Sequence, residues 1–338
     1  MKNFSKFKAA FAAFIFFTAA ILLSCTKEDK IQPIRFIFLP NESGEARKDS
    51  RNAFKEILEE ATGKPVEIIT TTDYNIALEA IISGKADMAY IGAEGYITAH
   101  KRNPAVIPIL TNSGPSGTLE DALYYSFIAV RTEDEDDYKT ENGYDLEKLK
   151  GKIISFVSTS STSGFVIPAN ILAAKFGLKN IDELIQKNDI FPKILFAGSH
   201  QGAEVNLFRK DADAAAFAIP RITGFYKLIA GEDFQTGAVY KVLEGAAEPF
   251  GEFAGQEITV IQSIPVLNAP IVINTQTLSA EEIKKIKEAL ASEKTANNPY
   301  IFQVPGSEKP GMYPKYSEKT KLVETDDIWY DKIRKLTE

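Results

Sequence analysis

The stretch that decides the fold runs from Gly151 to Phe176 and reads GKIISFVSTSSTSGFVIPANILAAKF. It begins with a short apolar run, Ile153–Val157, whose β-branched and aromatic residues are typical of a buried strand. Six hydroxyl residues follow at positions 158–163, and Gly164 ends the run. Apolar residues then recur at roughly helical spacing. The stretch therefore predicts a strand, a hydroxyl-rich loop and a helix.

This order of elements has a specific chemical use. The first turn of a helix leaves backbone N–H groups without partners and carries a partial positive charge. Ser161, Thr162 and Ser163 stand where their hydroxyls and those N–H groups can point at one anion together. The alternative is that Ser163 only caps the helix, since serine is favoured at that position anyway. The sequence leaves both interpretations open at this point.

The segment before this stretch repeats the same order of elements. Apolar strands are predicted at residues 34–39, 66–70 and 86–91, with helical patterns between them. Alternating strands and helices with wholly apolar central strands are typical of an α/β fold with a mainly parallel sheet.

A weak internal repeat predicts two similar lobes. The sequence GKADMA at 84–89 is matched by RKDADAAA at 209–216, since in both a basic turn and an aspartate lead into a strand of small residues. Between the halves lie two apolar runs, 124–130 and 269–273. Two such crossings predict a two-strand hinge.

The N-terminus has the pattern of a secretory signal. Three lysines precede an apolar stretch of fifteen residues from Ala9 to Leu23, which is too short for a comfortable membrane span. Cys25, the single cysteine of the chain, follows directly after Leu-Leu-Ser. This pattern resembles a bacterial lipoprotein signal and predicts cleavage after residue 24, lipidation of Cys25 and a polar tether over 25–32. A signal-anchor helix with an incidental cysteine is the alternative.

Charge and composition exclude several classes of function. Removal of residues 1–24, which hold three lysines and no acid, changes the formal charge from −7 to −10. No basic tract is present, so a nucleic-acid partner is not expected. With two histidines and one cysteine in the chain, neither a disulfide framework nor a bound metal is expected, and a divalent-metal carrier is disfavoured.

Five motifs in sequence order resemble one known family. They are Thr72-Asp73-Tyr74, the run GKADMAYIG at 84–92 followed by Tyr96, Ser161-Thr162-Ser163-Gly164, Gly198-Ser199-His200, and the segment 264–273 followed by a helical pattern at 278–290. Together they resemble the substrate-binding lipoproteins of phosphate, phosphite and phosphonate ABC importers, and the resemblance covers almost the whole chain after the signal.

The resemblance implies a two-lobed periplasmic-binding-protein fold of type II, in which each lobe is a mainly parallel sheet flanked by helices. Lobe 1 is expected at residues 33–125 and 270–338, and lobe 2 at 126–269. It also implies an extracytoplasmic, lipid-anchored monomer in the cell envelope, facing the periplasm or the exterior. Its expected partners are a small oxyanion, ABC permease subunits and, through Cys25, a membrane.

The resemblance also implies a set of ligand-binding residues. In the family, the tyrosine of the first motif, the serine and threonine hydroxyls and the histidine surround the phosphorus oxygens; here these are Tyr74, Ser161, Thr162, Ser163 and His200. All of them can donate hydrogen bonds to a tetrahedral oxyanion, which offers several acceptor lone pairs. Such a site needs no metal or cofactor. For Tyr96, a place in the site wall and a packing role remain equally open.

Two positions depart from the family pattern. Ala218 stands where the family often has a second acid, which puts an aminophosphonate ligand in doubt, and Glu94 stands where a neutral residue is usual. These departures motivate one alternative, a surface lipoprotein with a degenerate pocket that acts in sensing or host contact. An enzyme with His200 as base is disfavoured because the sequence offers no marked acid to orient it.

Overall fold

The computed structural model describes residues 31–337 except 187, 188, 220–223, 308 and 310. The strands are β1 (Ile34–Phe38), β2 (Val66–Thr70), β3 (Met88–Tyr90), β4 (Val106–Asn112), β5 (Leu123–Arg131), β6 (Lys139–Thr140), β7 (Gly143–Tyr144), β8 (Ile154–Phe156), β9 (Ile194–Phe196), β10 (Ala214–Phe217), β11 (Tyr226–Ala230), β12 (Val239–Val242), β13 (Glu257–Leu267), β14 (Pro270–Asn274), β15 (Phe302–Gln303), β16 (Tyr313–Pro314) and β17 (Leu322–Glu324). The α-helices are α1 (Pro40–Ser43), α2 (Lys48–Thr62), α3 (Tyr74–Ile82), α4 (Ala93–Arg102), α5 (Ile167–Lys175), α6 (Ile181–Gln186), α7 (His200–Phe208), α8 (Ala280–Leu290), α9 (Glu293–Ala296) and α10 (Asp331–Thr337).

A six-stranded sheet has the order β17-β4-β14-β3-β1-β2. Strand β1 pairs in parallel with both β2 and β3. It carries four buried apolar side chains among its five residues, as a central strand with both faces covered should. Its one charged residue, Arg35, bonds to the buried Asp87 at 2.8 Å. We refer to this sheet and the helices α1–α4, α8 and α9 as lobe 1.

A seven-stranded sheet has the order β11-β12-β13-β5-β10-β8-β9. Strands β10, β8 and β9 pair in parallel, whereas β5, β13, β12 and β11 are antiparallel to their neighbours. We refer to this sheet with helices α5–α7 as lobe 2. The α/β alternation is thus confirmed. The sheets are mixed rather than mainly parallel as expected, since antiparallel pairs outnumber parallel ones in both. The strands that cross between the lobes enter antiparallel: β14 pairs antiparallel with β3, and β5 with β10.

Among the described residues, two connections lead from the sheet of one lobe to the sheet of the other. Residues 113–122 lead from β4 into β5, and residues 268–269 lead from β13 back into β14. They are tied to each other because Asn268 donates from its backbone N–H to Ala122 O at 3.0 Å and from Nδ2 to Asn112 O at 2.7 Å. Strand β5 begins at Leu123 in the sheet of lobe 2, whereas the predicted boundary falls after residue 125.

The segment 243–257 contributes to the core of lobe 2. Phe250 and Phe253 are buried, and both pack on Phe208 of α7 with ring centroids 6.2 and 5.3 Å away. Phe250 also contacts Tyr226 of β11 at 5.3 Å. The segment is therefore a cover for the apolar face of α7.

The described residues from Ile34 onward belong to one compact unit. The predicted signal sequence, the predicted lipidation site Cys25 and most of the predicted tether lie outside the described residues. Within the part of the chain that the structure describes, we find no helix that combines the length and the apolar character needed to cross a membrane.

Candidate ligand-binding site

Four helical segments begin just after the carboxyl ends of parallel strands. Helix α3 follows β2, α4 follows β3, α7 follows β9, and a π-helical turn, Thr162–Val166, follows β8 and leads into α5. In open α/β sheets, ligands bind at the carboxyl ends of the strands, where the N-termini of helices point. All four segments carry the motifs that predict ligand contacts, so the topology explains why those motifs are spread along the chain.

The hydroxyl loop is buried and held in shape by its own hydrogen bonds. Ser161, Thr162 and Ser163 are each 2% exposed. The capping residue is Ser161 rather than Ser163, since Ser161 Oγ accepts the Gly164 N–H at 3.2 Å. A Cβ atom at Gly164 would lie 2.2 Å from Val157 Cγ2, so only glycine fits there. The predicted strand–loop–helix order is confirmed, with the first helical turn widened to a π-turn.

Thr162 connects the loop to lobe 1. Its Oγ1 accepts the backbone N–H of Glu94, in the first turn of α4, at 2.9 Å. The two lobes approach so closely here that a Cβ atom at Gly92 would lie 2.6 Å from Thr162 Oγ1. This close approach explains why residue 92 is glycine. Its φ of −64° is open to any residue, so the backbone conformation does not require a glycine there.

Tyr74 begins helix α3 in lobe 1. The preceding Asp73 caps the helix, accepting the backbone N–H of Asn75 at 2.6 Å and that of Ile76 at 3.3 Å. The Tyr74 ring is 5% exposed, and its hydroxyl contacts the side-chain amide of Asn41. Asn41 Oδ1 in turn accepts the backbone N–H of His200 at 3.1 Å. Tyr74 and His200, predicted from motifs far apart in the sequence, therefore meet across one side chain.

His200 is the first residue of α7 and is held in one tautomer. The backbone N–H of Ala218 donates to His200 Nδ1 at 3.0 Å. A backbone N–H can only donate, so Nδ1 carries no proton and Nε2 carries the single ring proton. Burial lowers the pKa of His200 to about 4, so the ring is neutral at physiological pH. It can act as a neutral hydrogen-bond donor through Nε2.

The partner of His200 Nδ1 also bears on the enzyme alternative. A catalytic histidine base is usually oriented by a carboxylate on its second nitrogen. Here that nitrogen contacts a backbone N–H, which cannot stabilise an imidazolium ion. The geometry supports a binding role for His200.

Tyr96 is placed differently from the other predicted residues. It is fully buried, and its hydroxyl donates to Asp327, which also pairs with Arg334. Its ring packs on Tyr330 and His100 at centroid distances of 5.2 and 5.7 Å. These contacts describe a packing role. Burial, followed by the bond to Asp327, raises the pKa of the Tyr96 hydroxyl above its usual range.

The two departures from the family pattern have defined places. Ala218 is buried and supplies the N–H that orients His200, a contact that any residue except proline can make. The Glu94 carboxylate accepts a hydrogen bond from Thr98 Oγ1 at 3.2 Å, one turn along its own helix. Position 218 therefore contributes no acid, and the Glu94 carboxylate is bonded within its own helix.

Asn41 and Asn75 are lobe-crossing residues that the sequence did not single out. Asn75 Oδ1 accepts a hydrogen bond from Ser160 Oγ at 3.2 Å, next to the hydroxyl loop. Both asparagines stand beside predicted elements: Asn41 follows β1, and Asn75 follows Tyr74. For Asn41, its position just after the carboxyl end of a central strand was the sequence feature that could have marked it as a site residue.

The residues expected to contact an oxyanion supply hydrogen-bond donors of several kinds. They are the phenol of Tyr74, the hydroxyls of the loop, the neutral imidazole of His200 and the N-termini of α4 and α7. Among the described residues, no group of three or more His, Cys, Asp or Glu side chains is arranged to hold a metal ion. A cavity of about 320 Å³ is lined by residues 116, 117, 293, 296, 318, 319 and 321, and one of about 270 Å³ by residues 296, 297, 302, 304, 305 and 315–318, so the donors named here line neither. The donor chemistry, rather than cavity size, marks the site.

Comparison with solved structures shows the same architecture. A binding-protein component of an ABC phosphonate transporter from Pseudomonas aeruginosa superposes with a TM-score of 0.62 at 19% identity, covering 90% of this chain and 85% of that one. PhnD1 from Prochlorococcus marinus, solved in complex with methylphosphonate, gives a TM-score of 0.63 at 15% identity, covering 91% and 97%. The predicted two-lobed periplasmic-binding-protein fold is confirmed.

Sequence comparison gives the family. The phosphate-import protein PhnD of Mycolicibacterium smegmatis is 30% identical over 195 residues, a match that spans 56% of this chain and 56% of that relative. The model of one family, described as the phosphonate periplasmic substrate-binding protein of ABC transporters, matches residues 36–330. The chain therefore belongs to the family of phosphonate-type periplasmic substrate-binding proteins of ABC transporters.

Proposed function

We propose that this protein is the substrate-binding component of an ABC importer and binds a phosphorus oxyanion between its lobes. The cargo class is phosphonate, phosphite or phosphate. The related PhnD1 protein binds methylphosphonate, and the curated relative is a phosphate-import protein. The proposed ligand contacts are Tyr74, Ser161, Thr162, Ser163 and His200. Tyr96 is left out because its hydroxyl is bonded to Asp327.

The observation that carries the proposal is the convergence at Asn41 and Thr162. Tyr74 and His200 both contact Asn41, and the hydroxyl of Thr162 contacts the start of α4. Contacts between the two lobes thus involve Tyr74, His200 and Thr162, each of which follows the carboxyl end of a strand, and this supports a shared site between the lobes. An oxyanion held there would accept charge-assisted hydrogen bonds, which are about twice as strong as neutral ones.

Transport requires that the lobes move to admit and release the ligand. The connections 113–122 and 268–269 are the proposed hinge, since they are the described segments through which the chain passes between the sheets. Thr162 already lies against Gly92 in this structure, so opening would separate the two residues to admit the ligand, and closing again would exclude water from the donors. A lower local dielectric strengthens each of the resulting bonds.

The remaining features complete the proposal. The signal pattern before Cys25 supports export and attachment to a membrane by lipid, with the lobes facing the periplasm or the exterior. The protein acts as a monomer and delivers its cargo to ABC permease subunits. The backbone N–H at His200 Nδ1, where a triad-type catalytic base has a carboxylate, supports a binding role for this residue.

Thermal unfolding of the protein from residue 31 onward tests this function. Methylphosphonate, phosphite and phosphate are compared with sulfate and with no ligand. A ligand at a hundred times its dissociation constant adds about 2.7 kcal/mol to the stability of the folded state. We expect a rise in the midpoint with at least one phosphorus oxyanion, lost in His200→Ala and kept in the control His100→Gln. No rise with any of them would contradict the proposal and favour a surface lipoprotein with a degenerate pocket.

A further inference from the structure

Asn41 is one of the residues through which the two lobes meet at the proposed site. It lies just after β1, the strand of lobe 1 that has parallel neighbours on both sides. Its side chain is partly buried and contacts Tyr74 of lobe 1 and His200 of lobe 2. We propose that Asn41 is a positioning residue that sets the Tyr74 hydroxyl as a hydrogen-bond donor for the oxyanion. This inference rests on the proposed function and adds a residue to it.

The orientation of the Asn41 carboxamide follows from its partner in lobe 2. The group that meets Asn41 there is the backbone N–H of His200, at 3.1 Å. A backbone N–H can only donate, so the carboxamide oxygen must face His200. The NH₂ group then faces Tyr74, and the two ends of the amide cannot be exchanged without placing donor against donor.

The orientation of Asn41 fixes the role of Tyr74. An amide NH₂ can only donate, so the Tyr74 oxygen is the acceptor in this contact. The hydroxyl proton of Tyr74 is therefore directed away from Asn41, where it can be donated to another acceptor. A carboxylate at position 41 would have the reverse effect, because it would itself take the Tyr74 proton.

The hydrogen bond from the His200 backbone to Asn41 Oδ1 uses the first N–H group of α7. His200 is therefore fixed at two points, through its backbone by Asn41 and through Nδ1 by Ala218. In both contacts the donor is a backbone N–H, of His200 in one and of Ala218 in the other, so neither hydrogen bond can reverse its direction. Asn41 thus aligns a donor of lobe 1 and a donor of lobe 2 relative to each other.

Isothermal titration with methylphosphonate tests the proposal, using the whole folded part of the chain. Asn41→Ala should weaken binding by roughly tenfold, the cost of about one lost hydrogen bond to a charged ligand. Asn41→Asp, which has nearly the same shape, should weaken it further at neutral pH. The matched control is Asn75→Ala, which removes another lobe-crossing bond but no contact with Tyr74 or His200. The control should bind within about twofold of the unchanged protein.

A double-mutant cycle separates positioning from a general structural effect. If Asn41 acts through Tyr74, the losses caused by Asn41→Ala and Tyr74→Phe will not add in the double variant. Fully additive losses, or an Asn41→Ala variant that binds like the unchanged protein, would overturn the proposal while leaving the proposed function intact. Absence of binding to the unchanged protein would instead overturn the proposed function itself. Hydrogen exchange of the His200 amide, without ligand, should be faster in Asn41→Ala, and an unchanged rate would contradict the bond.

Discussion

The backbone N–H of Ala218 donates a hydrogen bond to Nδ1 of His200 at 3.0 Å. This single contact links the residue that departs from the family pattern to the residue that is expected to bind the ligand. It fixes the ring proton on Nε2, so His200 can donate without carrying a positive charge. An acid at position 218 could make the same backbone contact, so the departure leaves the oxyanion end of the site intact.

The lowered pKa of His200 predicts a pH-dependent contribution to stability. The pKa falls from 6.5 to about 4 on folding because burial disfavours the charged ring. Above pH 6.5 the ring is neutral in both states, so His200 adds nothing to the pH dependence. Between pH 6.5 and about 4 the unfolded state binds a proton that the folded state does not, so the free energy of unfolding falls as the pH falls. His200→Gln should remove this part of the loss. Urea unfolding of both proteins from pH 7 to pH 4 measures it, and parallel curves would contradict the prediction.

The buried Glu204 predicts a pH effect of opposite sign. Burial raises its pKa from 4.5 to about 8, partly offset by a hydrogen bond from the Tyr226 hydroxyl. The folded state therefore retains the proton, so the free energy of unfolding should fall as the pH rises from 4.5 to about 8, by about 1.4 kcal/mol for each pH unit.

Glu204→Gln tests this effect because glutamine keeps the shape without the ionisation. The variant should show a flatter dependence of unfolding free energy on pH and higher stability at pH 8. Glu288→Gln, at a side chain that is 66% exposed, controls for the loss of one negative charge. If the unfolding free energy of Glu204→Gln fell with pH as steeply as that of the unchanged protein, the Glu204 carboxyl would have to be ionised in the folded unchanged protein, which would contradict the prediction.

Gly92→Ala should separate binding from stability. The added Cβ would lie 2.6 Å from Thr162 Oγ1, so the lobes could not approach as they do here. Because the backbone at residue 92 is ordinary for alanine, the unfolding free energy should change by less than about 1 kcal/mol. Methylphosphonate affinity should drop at least tenfold by the same steric argument.

The matched control for this variant is Gly95→Ala in the same helix. There a Cβ would meet only side-chain carbons at 3.8 Å or beyond, and alanine favours a helix interior by about 1 kcal/mol. Gly95→Ala should therefore bind normally. Thr162→Ser in the Gly92→Ala background keeps the hydroxyl and should not restore binding, whereas equal affinity of Gly92→Ala and the unchanged protein would refute the close approach.

The elements that the sequence predicted are those whose signals are local. Strand β8 follows from the apolar run at 153–157, and the capped turn after it follows from the serine and threonine residues. The prediction of Tyr74 and His200 as ligand contacts came from the resemblance of two short motifs next to strand ends to those of the family. Each of these depends on residues within one turn or one strand of the chain.

What the sequence did not reveal depends on contacts between distant segments. Asn41 lies 159 positions from its partner His200, and no local pattern marks that pairing. The burial of Tyr96 requires Asp327, which is 231 positions away. The mixed character of the sheets likewise depends on strands β5 and β14 returning across the hinge, which spacing alone does not specify.

The most direct test of the central claim is calorimetric titration of the protein with methylphosphonate, phosphite and phosphate, beside sulfate and His200→Ala. The account predicts saturable one-to-one binding of at least one phosphorus oxyanion. It also predicts a weaker response to sulfate and a loss of at least tenfold in affinity when the His200 donor is removed. No heat of binding with any of the three ligands, or binding unaffected by His200→Ala, would contradict it.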